Sequence, residues 1–297
     1  MPLAKTNNKK NIAFGLSVLF VAAFFWGSTF VTGKVLVHEL SVSAILLYRV
    51  IISLFVMLLV FRKSIIQGFI KSFRNKTIVA FSIIGALATI VQTEALKFTT
   101  ASNVAFISAL FVVFVPLIEK LFYGKHFKGG FYLAVALSIL GIYFISYGFH
   151  LPDNFSPGIF FALLSAIGYS YYFILLEKIP SEFSSPVIIF NFFLVMGVMC
   201  FIYCLFTGNF GTIVTLSKPI IYLNILNLAI LGGIIPYLLM VIGQKIIAPH
   251  FATLIYNFEP VFATALSFIF LGDRLHLSAL AGFAAIFLSL TVGVKTR

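Results

Sequence analysis

Two stretches of this chain repeat one another, and both are too apolar to fold in water. Residues 83–124 contain Ala-Ser-Asn-Val-Ala-Phe-Ile-Ser-Ala-Leu-Phe-Val-Val-Phe-Val-Pro, and residues 231–272 carry Ala-Pro-His-Phe-Ala-Thr-Leu-Ile-Tyr-Asn-Phe-Glu-Pro at the same place. A shift of 148 sets Lys97 on Lys245 and Gly124 on Gly272. A shift of 143 sets Gly15 on Gly158, Trp26 on Tyr169, Phe30 on Phe173 and Ser41 on Ser184, and a shift of 152 sets Gly130 on Gly282 and Gly141 on Gly293. Three blocks in the same order, with little drift, imply an internal duplication: halves 1–150 and 151–297 forming one structural unit. Duplicated hydrophobic halves suit a protein that rocks one half against the other around a central site.

With 61% hydrophobic and 9% charged residues, and a mean hydropathy of +1.13, the chain lacks the polar surface of a water-soluble globule. Apolar runs longer than the roughly 18 residues of a spanning helix recur from end to end. The net charge of +12 sits between these runs rather than along one stripe, so it speaks of membrane topology and not of nucleic acid. Cys200 and Cys204, four apart inside an apolar run, read as packing residues. The histidines, among them His38, His126 and His250, fall near expected loops without ligand spacing, so neither metal nor cofactor is expected. The first apolar segment lacks a small-x-small cleavage site and is kept as a span.

Charges, Pro/Gly clusters and polar turns divide the chain into ten expected helical spans: 12–33, 41–61, 77–97, 101–123, 128–149, 155–176, 185–206, 220–243, 250–271 and 276–294. Five spans per half means that the second copy enters the bilayer from the opposite side, an all-α inverted repeat. If the amino terminus is cytoplasmic, fifteen Lys and Arg residues fall on that side against four outside (Lys34, Lys97, Lys218 and Arg274), with Arg49 inside a span. The expectation is a multi-pass inner-membrane protein with both termini in the cytoplasm.

The chain resembles the drug/metabolite transporter superfamily, in its ten-helix EamA type. The resemblance rests on Phe-Trp-Gly-Ser-Thr-Phe at 25–30, Tyr48-Arg49, the run from Thr100 to Pro116, Phe-Glu-Pro-Val-Phe-Ala at 258–263 and Leu-Gly-Asp-Arg-Leu at 271–275. It implies a secondary carrier of small metabolites, commonly an exporter of amino acids or related compounds, working around a cavity between the halves. Where Glu usually follows Leu-Gly, this chain has Asp273. A lipid flippase and a membrane protein that moves nothing are the competing readings. No phosphate-binding loop, H-E-x-x-H motif or nucleophile–base set appears, which argues against an ATP-driven pump and an intramembrane enzyme.

A charged side chain at a helix centre costs about 2.5–3.5 kcal/mol on insertion scales, so Arg49 and Glu259, both expected near mid-depth, are the first candidates. Glu259 is read as a carboxylate that answers to a proton or to the solute, and Arg49 as its partner or as the receptor of a solute carboxylate. A static ion pair that fixes packing is the alternative. Trp26, Tyr169, Tyr172 and Tyr256, with Asn191 and Asn257, form a second candidate set able to stack a flat solute or hold an ammonium. Interfacial anchoring is the other use of such aromatics. Pro116, Pro236 and Pro260 are candidate hinges, each expected to kink its helix. Gln92, Glu94 and Lys97, Gln244 and Lys245, and Glu177 and Lys178 read as solvated helix ends, with Glu94 and Lys97 able to pair. The expected partners are therefore a small-molecule solute, a proton as coupling ion, and the surrounding lipid.

Overall fold

The structure is a computed structural model that describes residues 9–148, 156–207, 219–271 and 277–295. Lys5, Lys218, Asp273, Arg274 and Arg297, which enter the topology and motif expectations, lie outside them. The described residues are helical throughout apart from short turns and hold no strand. The first half contains α1 (Lys9–Val37), α2 (Val42–Phe73), α3 (Lys76–Phe98), α4 (Ala101–Ser108), α5 (Phe111–Tyr123) and α6 (Gly129–Tyr147). The second contains α7 (Pro157–Lys178), α8 (Ser185–Thr207), α9 (Pro219–Leu226), a π-helical stretch Asn227–Ile234, α10 (Ile235–Gln244), α11 (Pro249–Tyr256), α12 (Glu259–Leu271) and α13 (Leu277–Lys295).

Among the described residues, nine helical stretches are long and apolar enough to cross a bilayer. The tenth crossing is the broken pair α11–α12. Short turns make consecutive crossings antiparallel, so α1 starts on the face that also carries residues 74–75, 124–128, 179–184 and 245–248. This is called the amino-terminal face below; residues 38–41 and 99–100 lie on the opposite face.

Packing follows the repeat. Helix α7 lies along α3 as α1 lies along the π stretch and α10, while α2 packs on its own mate α8 and α6 on its mate α13. Swapping the halves exchanges these contacts for one another, as expected of two inverted five-helix repeats. Each element starts for local reasons. Ser41, Asn75, Thr100 and Ser156 cap α2, α3, α4 and α7 by accepting backbone N–H bonds, and Pro157 and Pro249 fill first-turn positions where a missing N–H costs nothing.

Three expectations are amended. Helix α2 leaves helical geometry at Phe61 (φ −114°, ψ 18°), where the span was expected to end, and a second helical segment carries it on to Phe73. At about 1.5 Å per residue it outruns a 30 Å hydrocarbon core, so Arg62 and Lys63 ride on helix rather than ending it. Pro116 does not break its crossing; α5 continues through it, and the break comes earlier, at Ala109 and Leu110. The matching break lies at Asn257 and Phe258, their repeat mates under the 148 shift. At both joints the ladder tightens to three-residue spacing, with Leu110 N–H on Ile107 O at 3.1 Å and Phe258 N–H on Ile255 O at 3.0 Å. Pro260 stands second in α12, just past the joint, whereas Pro236 lies inside the continuous crossing 219–244, just after the π-helical stretch.

Candidate solute site

A cavity of about 480 Å³, counted with its mouth, lies where the halves meet. Three pairs of repeat mates line it: Trp26 with Tyr169, Phe30 with Phe173, and Phe111 with Glu259. Thr29, Arg49, Gln92, Tyr172 and Tyr237 complete the lining. Mates from inverted copies face one another only near the axis that relates them, so the cavity sits on the pseudo-twofold axis.

The floor is aromatic and dry. Phe111, Tyr172, Phe173 and Tyr237 are 4% exposed or less; Phe111 starts α5 at mid-depth, and the other three lie towards the amino-terminal face in α7 and α10. Trp26, Thr29 and Gln92 are partly exposed and belong to the parts of α1 and α3 nearer the opposite face. The cavity therefore opens towards the opposite face. Trp26 meets Tyr237 edge-on at 5.4 Å between ring centroids, Tyr169 stacks on Phe173 at 6.1 Å, and Phe111 meets Phe173 at 5.3 Å.

Arg49 reaches the cavity from α2. Its Nη2 donates to the Gly232 carbonyl at 3.0 Å, and one turn on, Ser53 Oγ donates to the Ala229 carbonyl at 3.1 Å. Both acceptors belong to the π-helical stretch, whose wider ladder turns carbonyls towards neighbouring helices. The guanidinium also lies 5.8 Å from the Tyr237 ring centroid, while its Nε is buried without a partner. Gly232 has no side chain because Thr29 occupies the space a Cβ would take.

Glu259 begins α12 just after the joint, in the first turn, where a negative charge meets the positive end of the helix dipole. Arg49 and Glu259 share the cavity, yet among the described residues no ion pair joins them. This goes against the alternative of a static pair and leaves a guanidinium and a carboxyl group both facing the cavity. Gln92, expected at a solvated end, instead lines the cavity and accepts from Tyr169 Oη at 3.3 Å; Tyr169 Oη also lies 3.1 Å from Thr89 Oγ1.

Three sequence candidates lie elsewhere. Asn191 donates to Ser72 Oγ at 2.6 Å and to Val187 O at 2.9 Å, tying α8 to the end of α2 near the amino-terminal face. Tyr256 stands behind the cavity wall, its ring 5.3 Å from Trp26 and 4.9 Å from Phe173. Asn257 occupies the α11–α12 joint, fully buried with both side-chain polar atoms unpaired. Tyr237, Phe173, Phe111, Phe30 and Thr29 were not singled out from sequence. The repeat held a signal for several of them: Phe30 and Phe173 are mates, Phe111 is the mate of Glu259, and Tyr237 is the mate of Thr89.

Below the floor, at the amino-terminal face, lies a second polar cluster. Glu119, with no exposed surface, takes Lys125 Nζ on Oε1 at 2.6 Å and His250 Nδ1 on Oε2 at 2.7 Å. Lys125 also reaches Glu177 at 3.1 Å. Partial burial lowers the Lys125 pKa, but the hydrogen bond and charge of Glu119, together with Glu177, outweigh it, so the ammonium ends above its usual value. Nearby, Lys245 donates to the Phe183 carbonyl at 3.2 Å and burial alone lowers its pKa. Glu94 and Lys97 do pair, at 2.9 Å.

Two like halves of membrane-spanning helices around a polar cavity on their shared axis define a membrane transporter of the duplicated, helical class. The profile of the EamA-like transporter family matches residues 13–147 and again 156–294, and the chain belongs to that family. It is 31% identical over 137 residues to an uncharacterized transporter of Archaeoglobus fulgidus, a stretch spanning 46% of this chain and 42% of that protein. It is 22% identical over 274 residues to the riboflavin transporter ImpX of Fusobacterium nucleatum, spanning 88% of this chain and 91% of that protein. A solved crystal structure superposes with a TM-score of 0.75 at 15% identity, covering 96% of this chain and 98% of its own; that likeness concerns the fold.

Proposed function

We propose that the chain is a secondary transporter of small organic metabolites, an exporter of amino acids or related compounds, working by alternating access. The units that move are the halves 1–150 and 151–297, set in the inner membrane with both termini in the cytoplasm. One observation carries the reading: a buried guanidinium and a carboxylate line the same cavity without pairing, amid aromatic walls. An α-amino acid offers the complement, with a carboxylate for Arg49, an ammonium for Glu259 and a side chain for the rings. Glu259 is also the group through which a proton would couple to the solute, since only one of the two can neutralise it at a time.

The aromatic floor favours a flat side chain, and the Fusobacterium relative is named for a flat, ring-bearing solute. The test is counterflow of labelled solutes in proteoliposomes at two pH values, with aliphatic and aromatic amino acids and riboflavin in the panel. Accumulation of one class, lost in Glu259→Gln, supports the reading. Flux of none of them, or flux competed only by phospholipid headgroups, would overturn it in favour of a lipid flippase or a protein without transport.

A further inference from the structure

The second polar cluster plays no part in holding a solute, yet it joins the two halves at one spot. Glu119 and Lys125 belong to the first half, and Glu177 and His250 to the second. Glu119 Oε2 with His250 and Lys125 with Glu177 are both contacts between halves, at 2.7 and 3.1 Å. Lys178 adds a third, its Nζ 3.4 Å from the centroid of the Tyr123 ring. Local structure holds the donor in place: Gly124 ends α5 in the left-handed conformation (φ 61°), and the chain turns back so that Lys125 N–H bonds the Glu119 carbonyl at 3.1 Å.

We propose that this cluster is an ionic lock that holds the amino-terminal face shut while the cavity stands open to the other side, and that it must come apart for the protein to open inward. The position is right. The lock spans α5, α7 and α11 at the end of the molecule beneath the dry floor of the cavity, and α5 and α11 are each attached to a helix joint, at 109–110 and 257–258. The burial is right as well. Separating the halves takes His250 from Glu119 Oε2 and Glu177 from Lys125, which leaves a carboxylate with no exposed surface held by Lys125 alone until water enters. The Lys71–Glu182 bridge on the same face, with side chains 68% and 52% exposed, carries no such penalty. Nor is the lock part of the repeated scaffold: the mates of Glu119 and His250 are Ser267 and Ser102.

The proposal rests on the alternating-access part of the function proposed above, and its test reads side-specific exposure, without any solute. Phe173, on the cavity floor, is replaced by Cys in a Cys200→Ser, Cys204→Ser background. Its reaction with a membrane-impermeant maleimide is timed from each face in oriented vesicles, whose sidedness is set by protease access to an amino-terminal tag. Glu119→Gln and His250→Gln are each expected to speed labelling from the amino-terminal face by about fivefold or more and to slow it from the opposite face. The exchange Glu119→Lys with Lys125→Glu keeps a pair within the first half but sets a carboxylate against Glu177 and an ammonium against His250, so it should speed labelling from the amino-terminal face as well, and Lys71→Met should move neither rate. Unchanged rates, a rise from both faces together, or an equal effect of Lys71→Met would overturn the lock. If Glu119→Gln does not fold, His250→Gln decides the question. Shifted labelling without counterflow of any solute would sink the function proposed above and leave the lock standing.

Discussion

The Arg49 guanidinium hydrogen-bonds the Gly232 carbonyl at 3.0 Å, which fastens α2 of the first half to the π-helical stretch of the second. The same side chain borders the cavity, so one residue both orders the junction and faces the open space between the halves. Arg49→Lys keeps the charge but loses the fork, and Arg49→Met loses both. A charge-assisted hydrogen bond is worth about 1.5–3 kcal/mol, so transport efficiency should fall roughly ten- to hundredfold in Arg49→Met and less in Arg49→Lys. Initial rates in proteoliposomes against solute concentration measure this; unaltered kinetics in Arg49→Met would remove Arg49 from the site.

Glu259→Gln preserves shape and removes the titrating group. Transport should lose its dependence on pH, whatever rate remains. The measurement is uptake or counterflow from acid to neutral pH. A pH profile parallel to that of the unaltered protein would assign the coupling elsewhere.

A methyl group at residue 232 collides with the Thr29 side chain. Gly232→Ala should therefore destabilise the fold by about 1–3 kcal/mol, and adding Thr29→Ser, which removes the methyl it strikes, should restore most of the loss. Thermal unfolding in detergent, followed by thiol-reactive fluorescence, reads both. Recovery in the double variant separates a steric fault from loss of the π-helical turn.

Asn191 bonds Ser72 and lies away from the cavity. In Asn191→Ala the melting temperature should drop while the solute KM stays within error. A raised KM at unchanged stability would mean that the residue reaches the guest in some other conformation.

For Lys125 the sign of the pH effect is fixed by its neighbours. Its folded pKa lies above the unfolded value of about 10.4, so its stabilisation is complete below that pH and is lost as pH rises through the folded pKa. Melting temperature measured from roughly pH 9 to 12 should decline more steeply for the unaltered protein than for Lys125→Met. Parallel curves would mean that Lys125 holds no preferential charge in the folded state.

Sequence periodicity located the crossings well because bilayer thickness sets their length. It failed where that rule stops applying. At Arg62 and Lys63 charge marks the edge of the hydrocarbon, not the end of α2, since a helix is free to continue into water. The joint at 109–110 carries neither Gly nor Pro, so no local signal announces it, whereas its mate at 257–258 precedes Pro260. Arg49 and Glu259 were legible as costly charges, but depth along a helix says nothing of azimuth, and so whether they pair with each other stayed open until their side chains were placed. Gln92 shows the opposite limit: six residues from the end of α3, it reads as a solvated end, yet it borders the cavity because the cavity opens on that side. The richest signal was the duplication itself, since mates such as Phe30 and Phe173 converge on the axis that generates them.

The joints at 109–110 and 257–258 are copies of one helix break, placed in crossings that run in opposite directions. Whatever bend one of them adopts is, by construction, within the repertoire of the other. Both are bent alike here, so the difference between the closed floor and the open mouth is held by contacts outside the joints and not by the joints themselves.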